Sequence, residues 1–260
     1  MRSQMTPGLC SVTLRSLSAD GVIETAIAAG LASIEWGADR HVVPGNLVEA
    51  TRVGNATRAA GVSVAALGSY FRAGDLPDPA AERLEWETVL SAARAVGAPR
   101  IRVWAGARSS AEANSGYRRR VSDTLKRCVD TSGEIVVATE FHDATLTDTA
   151  ESVLALLEDV PGLQTYWQPA HGLGTPDAVA ELELVFDHLA AVHVFSWWPT
   201  AQNRLPLIAR ADLWHAVFDL LHGRARPLDC LLEFLPHDDP ALLVGEADSL
   251  FRLMRQGGRN

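Results

Sequence analysis

The sequence has little of what marks secreted, membrane-spanning or nucleic-acid-binding proteins. Its three cysteines, Cys10, Cys128 and Cys230, are far apart and odd in number, and they form neither a CxxC motif nor a disulfide framework. No stretch approaches the roughly 18 consecutive apolar residues of a membrane span, and the N-terminus has no long apolar segment of the signal-peptide kind. These absences predict a cytoplasmic protein that does not cross a membrane.

Basic residues are also scarce. The chain has 23 Lys and Arg against 32 Asp and Glu, which gives a formal net charge of -9. Proteins that bind the phosphate backbone usually carry a basic stripe. The densest basic run, Arg118 to Arg120, falls in a predicted helix and is interpreted as a solvated face. Nucleic acid and membranes are therefore not expected partners.

The 260 residues do contain a regular alternation of β-branched runs and helical patterns, without a Gly/Ser-rich linker or a low-complexity segment. Strands are predicted over 11–17, 33–38, 62–69, 100–105, 135–140, 163–168, 189–195 and 228–234. Alternation of this kind implies parallel strands with the helices outside. Eight such units in about 250 residues predict an α/β fold, a (β/α)8 TIM barrel that spans residues 1–260 as a single domain.

Four of the predicted strands end on a residue that can bind a metal. The stretch EIVVATEFH runs from an apolar strand to Glu140, and later strands end near Gln168, His193 and Glu233. In a barrel the C-terminal ends of all strands open on one face. Taken singly, each residue has a plainer interpretation as a loop anchor or a core residue. Together, four oxygen or nitrogen donors at one rim predict a divalent metal ion: Mn, Mg or Co, with Zn less favoured.

Aromatic residues also concentrate at strand ends. Trp36, Trp104, Trp167 and Trp197 lie there, and His41 follows the second strand. Aromatic walls with a few polar groups are typical of a small-molecule pocket, so these residues are predicted to contact substrate. Each tryptophan alone could equally well plug the top of the barrel.

Three charged residues are further candidates for the pocket. Glu35 ends the second strand beside Trp36. Arg102 lies inside the fourth strand and must be paired, with Glu35 or Glu140 as its expected partner. Arg204 follows the seventh strand and could reach a substrate oxygen or phosphate, although surface exposure is the usual state of such a residue.

Longer stretches of the chain resemble one family. They are IEWGADRH, GSYFR, RVWAG and LLEFLPHDD, and they span nearly the whole sequence. The sequence resembles the xylose isomerase-like TIM barrels of the AP endonuclease family 2 superfamily. These are sugar isomerases and epimerases, with inosose dehydratases and endonuclease IV as relatives.

The resemblance assigns roles to four short motifs. TEFH (139–142) looks like the family's first metal glutamate, and QPAH (168–171) like its aspartate-x-x-histidine element. HVF (193–195) looks like the metal histidine and LLEF (231–234) like the last glutamate. By the same resemblance His171 occupies a position that binds a substrate hydroxyl.

The resemblance implies a metal-dependent isomerase or epimerase of a sugar, sugar phosphate or cyclitol. Glu140 and Glu233 would then exchange the proton alpha to a carbonyl through an enediolate. Two alternatives stay open: a lyase similar to inosose dehydratase, and a catalytically silent sugar-binding barrel. The expected partner is a small carbohydrate, and a homodimer is compatible with the sequence.

The sequence departs from the family pattern at two positions. Gln168 stands where the family usually has a metal-binding aspartate, and Ser196 where an aspartate often follows the metal histidine. With Gln168 the set places two negative charges, not three, against a divalent ion. We expect such a site to hold the metal less tightly and to leave it a stronger Lewis acid. Both departures favour the silent alternative.

Overall fold

Eight short runs, most of them rich in β-branched and small apolar residues, form a closed, all-parallel barrel in the computed structural model, which describes residues 5–257. The strands are β1 (Met5–Cys10), β2 (Ser33–Gly37), β3 (Ser63–Arg72), β4 (Arg100–Trp104), β5 (Val136–Glu140), β6 (Gln164–Trp167), β7 (Leu189–Val194) and β8 (Leu228–Leu232). Each strand pairs with its neighbours in chain order, and β1 closes the barrel by pairing with both β2 and β8. The predicted (β/α)8 fold is confirmed.

A helix follows each strand and packs outside the barrel. The helices are α1 (Ala19–Ala28), α2 (Leu47–Ala59), α3 (Pro79–Val96), α4 (Ser115–Ser132), α5 (Ala150–Asp159), α6 (Thr175–Val185), α7 (Ala211–His222) and α8 (Leu243–Gln256). Local chemistry sets their ends. Asp78 caps α3 by accepting the Ala80 N–H, and Gly97 ends that helix at φ 76°, where a side chain would be strained. Among the described residues no helix is long and apolar enough to cross a membrane.

The prediction of the first strand over 11–17 is wrong. The strand is β1, which ends before that segment, and Ser11–Leu14 forms a short 3-10 helix. Pro7 and Gly8 lie within β1, and both residue types are depleted in strands, which is why the pattern concealed it.

Gly8 is required by the close approach of neighbouring chains. A Cβ at this position would lie 2.3 Å from Oγ of Ser33 on β2 and 2.6 Å from Cδ2 of Leu231 on β8. The absence of a side chain lets the first strand close the barrel between its two partners.

The barrel interior is lined by small side chains. Ala66, Ala138 and Ala191 form part of a buried cluster that is separate from the core between strands and helices. These alanines leave room for buried charges. Arg100 on β4 reaches across the interior to the carbonyl of Ala190 on β7 and to the carboxylate of Asp229 on β8.

Candidate active site

Three of the predicted metal ligands surround a ring nitrogen of the fourth, His193. Nδ1 of His193, on β7, lies 3.0 Å from Oε1 of Gln168, 3.3 Å from Oε1 of Glu140 and 3.5 Å from Oε2 of Glu233. Glu140 ends β5, while Gln168 and Glu233 lie one residue beyond β6 and β8. Because all four strands are parallel, their C-terminal ends bring these side chains to one rim.

Hydrogen bonds fix the orientation of Glu140. Its Oε2 accepts from Nη1 of Arg102 and from Nε1 of Trp104, both at 2.5 Å. Its Oε1 is thereby turned toward His193. The predicted pairing of Arg102 is present with both candidate partners, since its Nε also donates to Oε1 of Glu35 at 3.1 Å.

The two glutamates differ electrostatically. Burial opposes the ionisation of Glu140, but the Arg102 guanidinium and His193 outweigh it and hold its pKa well below the ordinary value. Burial raises the pKa of Glu233, and repulsion from Glu140 adds to this, although His193 opposes it. For His193, burial disfavours the proton, but interactions with Cys10 and Glu233 raise its pKa well above the ordinary value. The site therefore pairs a stable carboxylate with one that accepts a proton more readily.

A cavity of about 250 Å³ opens above these groups. Glu140, Gln168 and Glu233 form part of its lining, together with Arg102 and Trp104. The remaining lining residues are Val12, Arg15, Tyr70, Phe141, His142, Asp143, Thr147, Asp148, Pro169, Ala170, His171, Phe195, Trp197 and Phe234. The volume suits a small molecule, and six Phe, Tyr or Trp side chains form part of the wall.

One wall is a stack of rings. His171 and Trp197 are stacked with centroids 5.2 Å apart and planes at 9°, and Trp197 packs on Phe234 at 5.0 Å. Nδ1 of His171 lies 3.2 Å from Oδ2 of Asp143, so the imidazole has a carboxylate behind it. The predicted pocket residues His171 and Trp197 thus face the cavity together.

Five of the predicted substrate-contacting residues lie outside the cavity lining. Trp36 packs edge-on against His41, which is bound to Oγ of Ser11 and the carbonyl of Leu17. The remaining three are Trp167, Arg204 and Glu35.

Trp167 is fully buried against Trp214 of α7. Arg204 stacks behind the wall, 4.3 Å from the ring centre of Phe234 and 4.9 Å from that of Trp197, and pairs with Asp238.

Glu35 lies below the cavity, among the buried charges of the barrel. Strand geometry explains part of this outcome. Successive residues of a strand point to opposite faces, so Glu35 and Trp36 cannot both face the barrel axis.

Several lining residues were not predicted from the sequence. Arg15 donates to Asp39 and to the hydroxyl of Tyr70 at the cavity mouth. Tyr70 lies just beyond the predicted end of the third strand. Arg15 follows the short 3-10 helix, in a segment where the sequence pattern predicts a strand. Phe234 follows Glu233 directly. Its position as an aromatic residue at a strand end is the pattern that could have identified it as a pocket residue.

The departure at Ser196 has a structural explanation. Its hydroxyl donates to the carbonyl of Leu207 and accepts from Nε1 of Trp214. The side chain is buried away from the donor set, so it stabilises the loop between β7 and α7.

The donor set fits a divalent cation. Donor atoms of Glu140, His193 and Glu233 all lie within 4.8 Å of one another. An ion with bonds of about 2.1 Å places opposite ligands about 4.2 Å apart, so small side-chain shifts suffice. Two carboxylates, an imidazole and an amide are ligands of hard and borderline ions. The two carboxylates are 3% and 7% exposed, and buried charge of this kind needs a compensating partner.

The closed barrel and the ring of donors at its C-terminal rim define a class of α/β barrel with a candidate metal centre. The sequence profile of the xylose isomerase-like TIM barrel family matches residues 23–241, and the chain belongs to that family. No curated protein matches the chain significantly by sequence.

Solved structures share the whole fold. The probable 3-DHS dehydratase AsbF from Bacillus anthracis has a TM-score of 0.77 at 20% identity, covering 98% of this chain and 100% of its own. A D-psicose 3-epimerase has a TM-score of 0.70 at 16% identity, covering 98% and 100%. An L-ribulose 3-epimerase has a TM-score of 0.70 at 16% identity, covering 96% and 94%. At such identities the likeness establishes the fold and leaves the reaction to be argued from the site.

Proposed function

We propose that the protein is a metal-dependent isomerase or epimerase of a sugar, a sugar phosphate or a cyclitol. The observation that carries this proposal is the convergence of Glu140, Gln168 and Glu233 on Nδ1 of His193 at the floor of the cavity. These four residues would hold Mn, Mg or Co, with Zn less favoured. A bound divalent ion would supply Lewis-acid polarisation of the substrate carbonyl.

The two glutamates take different parts in the proton transfer. Glu233 is the better candidate for the base that removes the proton alpha to the carbonyl. Within residues 5–257 its carboxylate accepts no hydrogen bond from an arginine or a tryptophan, whereas that of Glu140 does. Glu140 has one oxygen held by Arg102 and Trp104, so its other oxygen would be the one available to hold an ion. Removal of the alpha proton leaves an enediolate, and return of a proton to the other face or the neighbouring carbon gives the product.

The cavity walls orient the substrate. The aromatic stack gives an apolar face, which suits the C–H face of a sugar, while His171 can bind a hydroxyl. Arg102, Trp104 and Trp197 complete the contacts that we propose. Trp36, His41, Trp167, Glu35 and Arg204 act through packing or charge around the cavity.

The test combines metal binding with solvent isotope exchange. Wild-type protein is titrated with Mn²⁺ and then incubated in ²H₂O with a panel of free ketoses and ketose phosphates. Deuterium is expected at the carbon alpha to the carbonyl of a turned-over substrate, and EDTA is expected to stop its incorporation. Glu233→Gln is expected to slow exchange on the order of 10²–10⁴-fold. Glu183→Gln, an exposed change on α6, should leave it unchanged. Mn²⁺ binding without exchange into any substrate would favour the silent sugar-binding barrel.

A lyase is the second candidate, and one observation favours it. His171 lies in the cavity wall with the Asp143 carboxylate at its Nδ1. An imidazole supported in this way can protonate a leaving hydroxyl, which dehydration of a cyclitol requires and epimerisation does not. Product analysis separates the two, because loss of water creates a conjugated chromophore. Conversion with unchanged mass and absorbance would rule out the lyase.

The same proposal extends to the cellular compartment and to the binding partners. All three cysteines are free and buried, which suits a reducing cytoplasm. A small carbohydrate is the proposed partner, without nucleic acid or membrane, and a homodimer is the assembly to test by light scattering.

A further inference from the structure

His193 has a third acidic neighbour, Glu35, on the side away from the cavity. Its Nε2 lies 3.6 Å from Oε1 of Glu35, while its Nδ1 faces the donor set. Within residues 5–257, Nε2 has no hydrogen-bond partner, and neither does Oε2 of Glu35. The two side chains are 0% and 2% exposed. Unpaired polar atoms at such depth cost free energy, so a shift of roughly 0.5 Å to a direct hydrogen bond is favoured.

The barrel is built to hold Glu35 at this place. Arg102 donates from Nε to Oε1 of Glu35 and from Nη1 to Glu140, so it links the lower carboxylate to the site above. Gly68 on β3 provides the space. A Cβ there would lie 2.6 Å from Oε1 of Glu35 and 2.9 Å from Nη2 of Arg102. Any other residue at this position would displace the pair.

We infer that Glu35 is a positioning residue, which accepts the Nε2–H of His193 and so directs the Nδ1 lone pair at the donor set. Through Arg102 it also keeps Oε1 of Glu140 turned toward the same point. The inference rests on the proposed function, because it gives Nδ1 a cation to bind. Carboxylates that accept from the distal nitrogen of a ligating histidine fix its tautomer and raise its basicity.

The contact of His193 with Gln168 shows why this tautomer must be enforced. Nδ1 lies 3.0 Å from an amide oxygen, which only accepts, so in this arrangement Nδ1 carries a proton. A cation binds Nδ1 only through its lone pair. The ring hydrogen must then be held at Nε2, and a carboxylate holds it there more strongly than an amide does.

The first test measures Mn²⁺ affinity by electron paramagnetic resonance in Glu35→Gln and Glu35→Asp. Both are expected to weaken binding about 10–100-fold relative to wild type. Glu35→Asp keeps the charge and loses the reach, so a purely long-range effect of charge would leave it like wild type. Asp229→Asn is the matched control. It removes a partly buried carboxylate that is paired with Arg100 in the same barrel but away from His193, and the Mn²⁺ affinity should be unchanged.

The second test reads the hydrogen bond itself. In protein loaded with diamagnetic Zn²⁺, the Nε2–H of His193 is expected as a downfield, slowly exchanging proton resonance that both Glu35 variants lose. Its absence from wild type overturns the inference without any substitution. Folded variants that bind Mn²⁺ like wild type and keep the resonance overturn it as well. Wild type that binds no Mn²⁺ defeats the proposed function and this inference together.

Discussion

At the residue scale, the expected metal affinity of the candidate site depends on the small number of negative charges around the buried imidazole of His193. Glu140 is neutralised in part by Arg102, and Gln168 contributes an amide where a carboxylate is usual. The field on a bound cation is therefore weaker than in a three-carboxylate site. The same shortage of charge leaves more of the ion's polarising power for a substrate carbonyl.

Gln168→Asp is expected to tighten Mn²⁺ binding on the order of tenfold or more, because it adds a unit charge beside the ion in a buried site. It is expected to lower the turnover rate, since the ion becomes a weaker Lewis acid. Titration calorimetry and the isotope-exchange rate measure the two effects. Gln164→Asp, at the opposite end of the same strand, adds the same charge far from the site. Equal affinities for the two variants would refute the charge argument.

At the element scale, the segment after β8 is held in an unusual conformation. Phe234 has φ 57°, in the left-handed region that bulky residues rarely adopt. Its N–H donates to Oγ1 of Thr13 at 2.9 Å, from the short helix that follows β1. Because Glu233 precedes Phe234 directly, this hydrogen bond between the N-terminal and C-terminal parts of the barrel helps to orient the Glu233 carboxylate.

Thr13→Val removes the acceptor and keeps the shape of the side chain. We expect the free energy of unfolding to fall by about 1–2 kcal/mol, since the Phe234 N–H loses its partner. Isotope exchange should slow as well, because Glu233 is less firmly aimed. Thr13→Ser keeps the hydroxyl and should preserve the exchange rate. Urea unfolding and exchange assays compare the two, and the idea fails if valine and serine behave alike.

The closure of the barrel by β1 gives a second prediction at this scale. Gly8→Ala is expected to lower the free energy of unfolding by roughly 2 kcal/mol or more, because the added Cβ meets Ser33 and Leu231. Gly245→Ala in α8 is the matched control. Outside its own helix backbone and chain neighbours, no atom of residues 5–257 lies within 4 Å of its added Cβ, so it should stabilise by up to about 1 kcal/mol through helix propensity. Thermal or urea unfolding that shows the same change in both variants would contradict this explanation.

At the scale of the whole molecule, stability should respond to pH through a carboxyl group outside the site. Burial raises the pKa of Glu181 on α6 to about 7, and repulsion from Glu151 and Asp177 adds to the shift. The folded protein therefore binds more protons than the unfolded chain between the ordinary glutamate value and about pH 7. This contribution to stability is complete at acid pH and is lost as the pH rises through that window.

Glu181→Gln removes the penalty for ionising this group. The variant is expected to be more stable than wild type at pH 8 by about 1 kcal/mol, a value reduced for the solvent screening of a half-buried group. At pH 4.5 the difference should be much smaller, because the folded Glu181 side chain is then neutral and only about half of the unfolded chains are ionised. Urea unfolding at the two pH values measures it. Glu183→Gln, exposed on the same helix, should change stability equally at both, and a pH-independent gain for Glu181→Gln would refute the assignment.

The sequence by itself determined the architecture and the kinds of atom at the rim. Alternating periodicity is a local property, so seven of the eight strands could be predicted from it. The first strand, β1, escaped the prediction because Pro7 and Gly8 break the pattern. The donors Glu140, Gln168, His193 and Glu233 could be predicted because parallel strands all end on one face.

Only the tertiary structure decided which neighbours each side chain meets. The closed barrel places Trp36 and Trp167 in the outer core and Glu35 under His193. Which of the two faces of a strand turns to the axis depends on how all eight strands close, and the alternation within one strand does not reveal it. The bond from Thr13 to Phe234 joins positions 221 residues apart. No local pattern encodes a contact of that kind, because it depends on the closure of the whole barrel.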